Sequence, residues 1–486
     1  MARLFFWGFA VLSLRNISLL CIAVMSAVSV YLAASLPLSP DEAHYALYGS
    51  HLDLSYFDHP PMVGWIQALM LNISEADFWL RLPPMLLSVA TGLMLFRFTR
   101  RYFDEASAWL SLLFFSCLPM FRMLGLAWVP EDPLMLAGLS CLWVTLALAE
   151  KNTLSLWLLL GASLGIAALS KYTAVTLALS VALALFYLRG PKVLLEKGLW
   201  LAVLVAALLL LPILLWNYQH EWISFQYQLE HGTERHAASL IAALQMQLGQ
   251  ILSYSPLIYI LGVVASLLLW RNPQARVVMM FAWPILLLFS FSALKGRSLP
   301  HWTAMGVLFL LPLISHAFLR FWQGGRIAKT ALILLFSTAP LISIAMLLVL
   351  GKVNLGFKDY QHPLQDLVGW DEVAQLTREV AEADPEPAMR QILSSNWSYA
   401  SRLAWYGRPL SVKVLDTRVD QFDLWFGGMQ AGEGGYLVLP REKDKFENKL
   451  LLNFADCEFV FEHQVESPQQ IKINEFKVYR CHAYQP

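Results

Sequence analysis

Long apolar runs recur along the chain, near 16–36, 83–99, 105–121, 132–149, 154–170, 172–188, 199–216, 252–270, 277–294, 302–321 and 330–350. Each approaches the roughly 17–25 residues that a helix needs to cross a bilayer. In hydrocarbon every backbone N–H and C=O must be satisfied internally, which leaves helices or closed barrels. The runs therefore predict a polytopic α-helical membrane protein of about eleven spans. Composition agrees. Of 486 residues 57% are hydrophobic and 14% charged, against roughly 25% charged in soluble domains. Formal net charge is zero, so nothing in the charge balance points to nucleic acid. The start, MARLFFWGFAVLSLRN, has no small-residue cleavage site before a polar mature region. The first run is expected to remain as a span.

Basic residues fall mostly on alternate sides of these runs: Arg3 and Arg15; Arg97, Arg100 and Arg101; Lys151; Arg189, Lys192 and Lys197; Arg271 and Arg276; Arg320, Arg326 and Lys329. The positive-inside rule makes that side cytoplasmic. The outer, periplasmic side then receives the loop 37–82, the segment 217–250, the link KGRSLPHW (295–302) and the C-terminus. Within the loop, PPMVGWIQALMLNI (60–73) is too short to span and reads as an interfacial helix. After Lys352 the composition changes. A helical WDEVAQLTREVAEA (370–383) precedes short alternating runs at 411–416, 436–440, 457–465 and 476–484. These predict a small periplasmic α/β domain over 353–486, following a transmembrane domain over 1–352. Cys457 and Cys481 can pair if that domain lies in an oxidising compartment. Cys21, Cys117 and Cys141 lie in apolar runs and read as small core residues. There is no CxxC, Walker motif or GxGxxG.

Several charges sit where topology alone would not put them. Arg81, Arg122, Lys171 (in LSKYT), Arg235 and His236 (in HGTERH), and Lys295, Arg297 and His301 (in KGRSLPHW) all fall on the outer side. Snorkelling accounts for single cases. Together they suggest an anion held at the outer leaflet, for which a lipid phosphate is the natural candidate. Acids gather on the same side: Asp41, Glu42 and Asp58 in the first loop, and Glu131 and Asp132 in VPEDPLML. Glu131, Asp132 and, in the helix start Ser-Pro-Asp-Glu, Asp41 also suit helix caps. Two nearby carboxylates would raise one pKa, as a general base requires; a divalent cation between Asp41 and Asp132 would serve instead. The aromatics around the first loop, Tyr45 among them, read first as an interfacial belt, with some available to stack on a sugar.

The order of short motifs resembles a known family. An Asp-Glu opens the first outer loop, then come YFDHPP, Asp-Pro-Leu at the head of a later span, Ser-Lys-Tyr between spans and LPHW before another. PLQDLVGWDEVA (363–374) and QFDLWFG (421–427) extend the likeness to the C-terminus. The chain thus resembles the bacterial integral-membrane glycosyltransferases of family 39, with the C-type fold shared by protein O-mannosyltransferases and the lipid A aminoarabinose transferase. The resemblance implies an enzyme that takes a sugar from a polyprenyl-phosphate carrier at the periplasmic face. It passes the sugar, with inversion, to a lipid, glycan or protein. It implies Asp41 as base or acceptor-orienting group with Glu42 beside it, Asp132 as second acid, and Lys171 at the donor phosphate. Arg297 and His301 would line the donor site. His59 stands where many relatives have lysine, and Arg81 joins the phosphate set. Tyr45, Asp58, Glu131, Arg235 and His236 remain candidates for the rest of the substrate. Two other readings compete. A transporter or flippase would place ionisable groups near the midplane in repeated halves; an assembly or polysaccharide-binding protein would act through its C-terminal domain. Transfer activity that disappears with Asp41 alone separates the enzyme from both.

Overall fold

A computed structural model describes residues 2–233, 239–295, 299–321, 325–350, 353, 355–441 and 449–485. The apolar runs all fall in helices. Among the described residues seven helices are long and apolar enough to cross a membrane, or up to eight if Leu240–Tyr254 and Ile258–Leu269, bent by 93°, form one span. The run at 105–121 is shorter than expected because Pro119 breaks it: helix Glu105–Cys117 stops and a short turn Pro119–Leu124 follows. Leu154–Ser170 is an apolar helix of 17 residues. Helices Lys197–Gln219, Pro273–Lys295 and Ala304–Phe321 each keep an internal proline, Pro212, Pro284 and Pro312, as membrane helices tolerate.

By contacts the chain forms two compact units. The first takes Met1–Tyr31, Leu54–Val63 and Arg81–Ser343. One seam in it orders the residues of interest. Helix Leu154–Ser170 carries Gly161 and Gly165, four apart, the small-xxx-small spacing that lets membrane helices approach closely. A Cβ on Gly161 would meet the Ala202 carbonyl oxygen at 2.4 Å, and one on Gly165 would meet Leu209 Cδ1 at 2.5 Å. Contacts that advance together on both helices make Leu154–Ser170 and Lys197–Gln219 run parallel. Their C-terminal ends, at Lys171 and Asn217, therefore emerge on one side.

The second unit takes Leu32–Asp53, Gly64–Leu80 and Ile344–Pro486. All of 353–486 that is described belongs to it. Its sheet runs β2-β1-β3-β5-β4, with β1 Gln391–Ser394, β2 Ser411–Val414, β3 Gly435–Pro440, β4 Phe454–Glu466 and β5 Lys472–Tyr484. β1 is parallel to β2 and β3; β5 is antiparallel to β3 and β4. The sequence runs anticipated four strands. β1 is only four residues long, too short for an alternating pattern, and is buried throughout. Cys457 and Cys481 face each other across β4 and β5 and are joined as a disulfide. Helix Trp370–Glu382 packs Trp370, Val373 and Ala374 into the core. Trp370 also carries the guanidinium of buried Arg402 at 3.9 Å. Helix Pro40–Ser50 joins this core through Ala43, Ala46 and Leu47. It meets helix Met62–Leu71 at Gly49, where a Cβ would lie 2.8 Å from Ala68 N.

Two outcomes follow from these contacts. Gly161→Ala has no room for its methyl, so thermal unfolding of the purified protein should show a loss of about 1–3 kcal/mol. Asp420 caps helix Gln421–Phe426, accepting from Phe422 N at 2.7 Å. Burial pushes its pKa up to about 6, opposed by the Phe422 hydrogen bond and helped by Asp423 and Asp416. The folded state thus holds the proton more tightly than the unfolded chain, whose Asp titrates near ~3.9. This contribution to stability is full below that value and lost as pH rises through 6. Asn caps as well as Asp, so Asp420→Asn should gain on wild type between pH 4 and 7, by about 2–3 kcal/mol at the upper end. Unfolding of both proteins across that range checks it.

Candidate active site

Three helix ends of the first unit build the site. Helix Glu131–Glu150 begins after Pro130, and Asp132 Oδ2 accepts from the Val129 N–H at 3.1 Å. Asp132 therefore ties the chain just ahead of the helix, while the N-cap residue itself is Pro130, with no side-chain cap bond. Helix Leu154–Ser170 closes with the Lys171 N–H on the Ala167 carbonyl at 3.0 Å; Lys171 is then extended, and Tyr172–Ala174 make a 3-10 turn. A second 3-10 turn, Pro300–Thr303, leads His301 into helix Ala304–Phe321. The segment 54–63 is tied to the same unit. Ser224 Oγ donates to the Tyr56 carbonyl at 2.9 Å, Gln228 Nε2 to that of Asp58 at 2.9 Å, and Trp128 Nε1 to that of Val63 at 3.1 Å.

At the centre Lys171 Nζ pairs with Glu131 Oε1. His301 Nε2 lies 3.6 Å from the same oxygen, and His59 also acts electrostatically on Glu131. The Trp302 ring lies 5.7 Å from Lys171 Nζ. Glu131 is 3% exposed and Lys171 8%. Glu131 Oε2 is buried with no hydrogen-bond partner among the described residues. An isolated buried ammonium would lose its proton or move to water. Glu131 supplies the opposite charge, and an ammonium has three donors, so one bond to Glu131 leaves capacity for an anion. His59 Nε2 lies 3.8 Å from Asp58 Oδ2.

Of the residues expected at a donor phosphate, Lys171, His301 and His59 thus converge on Glu131. Arg81 is buried in this unit, just ahead of helix Leu82–Tyr102. Arg235, His236 and Arg297 lie outside the described residues. Asp41, Glu42 and Tyr45 belong to the second unit. There Glu42 closes a capping box: its Oε2 accepts from Ser39 N at 3.0 Å, and Ser39 Oγ accepts from Glu42 N at 3.4 Å. Asp41 is half-buried on the first turn and Tyr45 is buried. Nearby His44 sits against Ser401 Oγ at 3.1 Å and the ring of Trp397. No group of three His, Cys, Asp or Glu side chains suited to a metal occurs among the described residues. Sequence reasoning did not single out Ser55 or Asn217 and quoted Tyr172 only within its motif. A polar Asn at the end of the run 199–216 was the available signal.

The fold built on these elements is that of the C-type glycosyltransferases. ArnT from Cupriavidus metallidurans matches with TM-score 0.60 in the apo state and 0.61 bound to undecaprenyl phosphate, at 15% identity over 95% of this chain and 97% of that one. The archaeal oligosaccharyltransferase AglB from Archaeoglobus fulgidus, in complex with an inhibitory peptide and a dolichol-phosphate, matches with TM-score 0.51 at 12% identity, over 94% of this chain and 74% of that one. The family model described as dolichyl-phosphate-mannose-protein mannosyltransferase matches residues 58–216. The lipid A galacturonosyltransferase RgtD of Rhizobium johnstonii is 25% identical over 270 residues, 54% of this chain and 56% of that protein. The match therefore spans about half the length of that curated relative. Residues 58–216 thus match that mannosyltransferase family's model, and the chain as a whole has the fold of ArnT.

Removing one member of the buried pair leaves the other uncompensated. Lys171→Met and Glu131→Gln should each lower stability by about 3–5 kcal/mol, and the double variant should recover most of it. Thermal unfolding of the four proteins in one detergent checks this coupling.

Proposed function

We propose that this protein transfers a sugar from a polyprenyl-phosphate carrier to a lipid, glycan or protein acceptor at the periplasmic face of a bacterial inner membrane. The observation that carries the reading is the buried Lys171–Glu131 pair with His301 and His59 beside it. It is a cation held in place before any ligand arrives, in a segment where an unassisted charge is costly. The mannosyltransferase family model that matches residues 58–216 and the fold neighbours bound to undecaprenyl phosphate and dolichol-phosphate support a lipid phosphate as the anion. The name of RgtD favours a lipid acceptor. The basic residues on alternate sides of the runs, together with the disulfide in the second unit, favour an extracytoplasmic C-terminus and a cytoplasmic N-terminus.

In this mechanism the donor phosphate oxygens accept from the remaining Lys171 N–H groups, with His301, His59, Arg81 and Arg297 as further donors. Glu131 holds Lys171 in place through their ion pair. The acceptor oxygen or nitrogen attacks the anomeric carbon from the side opposite the phosphate. The C1–O bond to phosphate breaks, a C1–acceptor bond forms, and configuration inverts. The acceptor proton passes to a carboxylate, which the resemblance assigns to Asp41. Polyprenyl phosphate leaves as an anion, and its growing charge meets groups already oriented for it, so little reorganisation is needed. Glu42, already used in a capping box, and Asp132, already bonded to the Val129 N–H, would support the acidic segments rather than take protons. Tyr45, Arg235 and His236 remain acceptor-side candidates.

Purified protein in nanodiscs, given undecaprenyl-phosphate sugars and an envelope lipid extract, should yield a glycosylated product by mass spectrometry. Asp41→Asn should lower turnover by 10²-fold or more, within the range of acid–base catalysis, while undecaprenyl phosphate still raises its melting temperature. Near-wild-type turnover in Asp41→Asn removes that residue from the chemistry. Lipid translocation without any transfer overturns the enzyme reading.

A further inference from the structure

The turn that carries His301 is fastened from another helix. Pro300–Thr303 is a single 3-10 turn, a geometry with poor hydrogen bonds that is used in short pieces. Its Trp302 N–H donates to the Leu299 carbonyl at 3.1 Å. The Pro300 carbonyl accepts twice, from Thr303 Oγ1 at 2.9 Å and from Tyr254 Oη at 3.0 Å. Thr303 lies in the same turn, whereas Tyr254 ends helix Leu240–Tyr254. That helix also passes Pro300 at Gly249, where a Cβ would lie 3.6 Å from Pro300 Cγ. Tyr254 and Thr303 are fully buried. A buried phenol needs a hydrogen-bond partner, and the Pro300 carbonyl supplies it.

The place of Tyr254 is itself constrained. Its ring meets that of Phe121 edge-on, with centroids 5.8 Å apart. Its helix stops where Ser255 takes φ 71° and ψ 133°, a conformation costly for a residue with a side chain. The chain then bends by 93° into Ile258–Leu269. Such strain persists only where surrounding contacts over-determine it. The Phe121 contact and the Pro300 bond are two contacts that hold this helix end. Just beyond the fastened carbonyl, His301 Nε2 lies 3.6 Å from Glu131 Oε1, and the Trp302 ring lies 5.7 Å from Lys171 Nζ. All these residues belong to the first unit.

We propose that Tyr254 is a positioning residue for the donor phosphate: its hydroxyl, with that of Thr303, fastens the Pro300 carbonyl and so fixes His301 and Trp302 at the Lys171–Glu131 pair. The proposal rests on the sugar-transfer reading and adds to it a residue that acts through the turn. The Pro300 carbonyl and the His301 N–H share one planar peptide unit. A hydroxyl that holds this oxygen therefore also orients the backbone from which the imidazole projects. Thr303 ties the oxygen within the turn, and Tyr254 ties the turn to a second helix. Charge that grows on a leaving phosphate is stabilised only by donors already in place. A misplacement of about 1 Å can cost on the order of 10²-fold in rate.

The test uses the full-length protein in nanodiscs, sugar-free undecaprenyl phosphate as the binding probe, and an undecaprenyl-phosphate sugar that wild type turns over as the donor. Tyr254→Phe removes the hydroxyl and keeps the ring. It should raise the Kd for undecaprenyl phosphate about 10-fold and lower kcat/KM by about 10–100-fold, with cooperative unfolding retained. A cycle with His301→Ala separates positioning from general support of the fold. Where Tyr254 acts through the turn, adding Tyr254→Phe to His301→Ala should change that Kd by less than about 3-fold. Unchanged binding and kinetics in folded Tyr254→Phe, or single effects that multiply in the double variant, overturn the positioning role and leave sugar transfer intact. Should Tyr254→Phe fold poorly, Thr303→Val removes the other bond to the same carbonyl and is read through the same cycle by the same criteria. If undecaprenyl phosphate does not bind wild type and no donor reacts, the transfer reading falls and the positioning role with it.

Discussion

A lysine that is 8% exposed in a mostly apolar protein is tolerable only with a carboxylate opposite it. Lys171 finds one in Glu131, forty residues earlier in the chain. That pairing links the start of one helix to the end of another and brings the turn carrying His301 to the same oxygen. It also explains why the acid and the base must come as a set. Either alone would be a buried charge; together they are a neutral couple with spare donors, which is what a phosphate-binding site needs before its ligand arrives.

The glycine seam makes this geometry reproducible. Because Gly161 and Gly165 have no side chains, helix Lys197–Gln219 approaches their backbone closely, and its direction is fixed by two successive contacts. Parallel helices with adjacent ends deliver Lys171, Tyr172 and Asn217 to one region. Dispersion across a close backbone approach is a main source of helix association in a medium that offers no hydrophobic gain. The same seam therefore serves the site as well as the fold.

The second unit is stabilised differently. It has an ordinary soluble-type core, in which helix Trp370–Glu382 covers a five-stranded sheet, a cross-strand disulfide joins β4 to β5, and Arg402 lies flat on Trp370. The acidic helix Pro40–Ser50, which the sequence places in the first outer loop, shares this core through Ala43, Ala46 and Leu47. Its carboxylates thus divide in role: Glu42 is spent on the capping box, whereas Asp41 stays half-buried on the same turn.

The sequence by itself determined the membrane-protein class, the places of the apolar helices and four of five strands, because hydropathy and strand alternation are local properties written in consecutive residues. It also marked Lys171, Glu131 and His301 as charges out of place. Only the tertiary structure decided that Lys171 and His301 meet at one oxygen of Glu131 and that Glu42 closes a capping box. Those facts depend on which helix ends meet, and that choice is made by glycine contacts and by charge pairing between residues far apart in the chain. No local pattern encodes them.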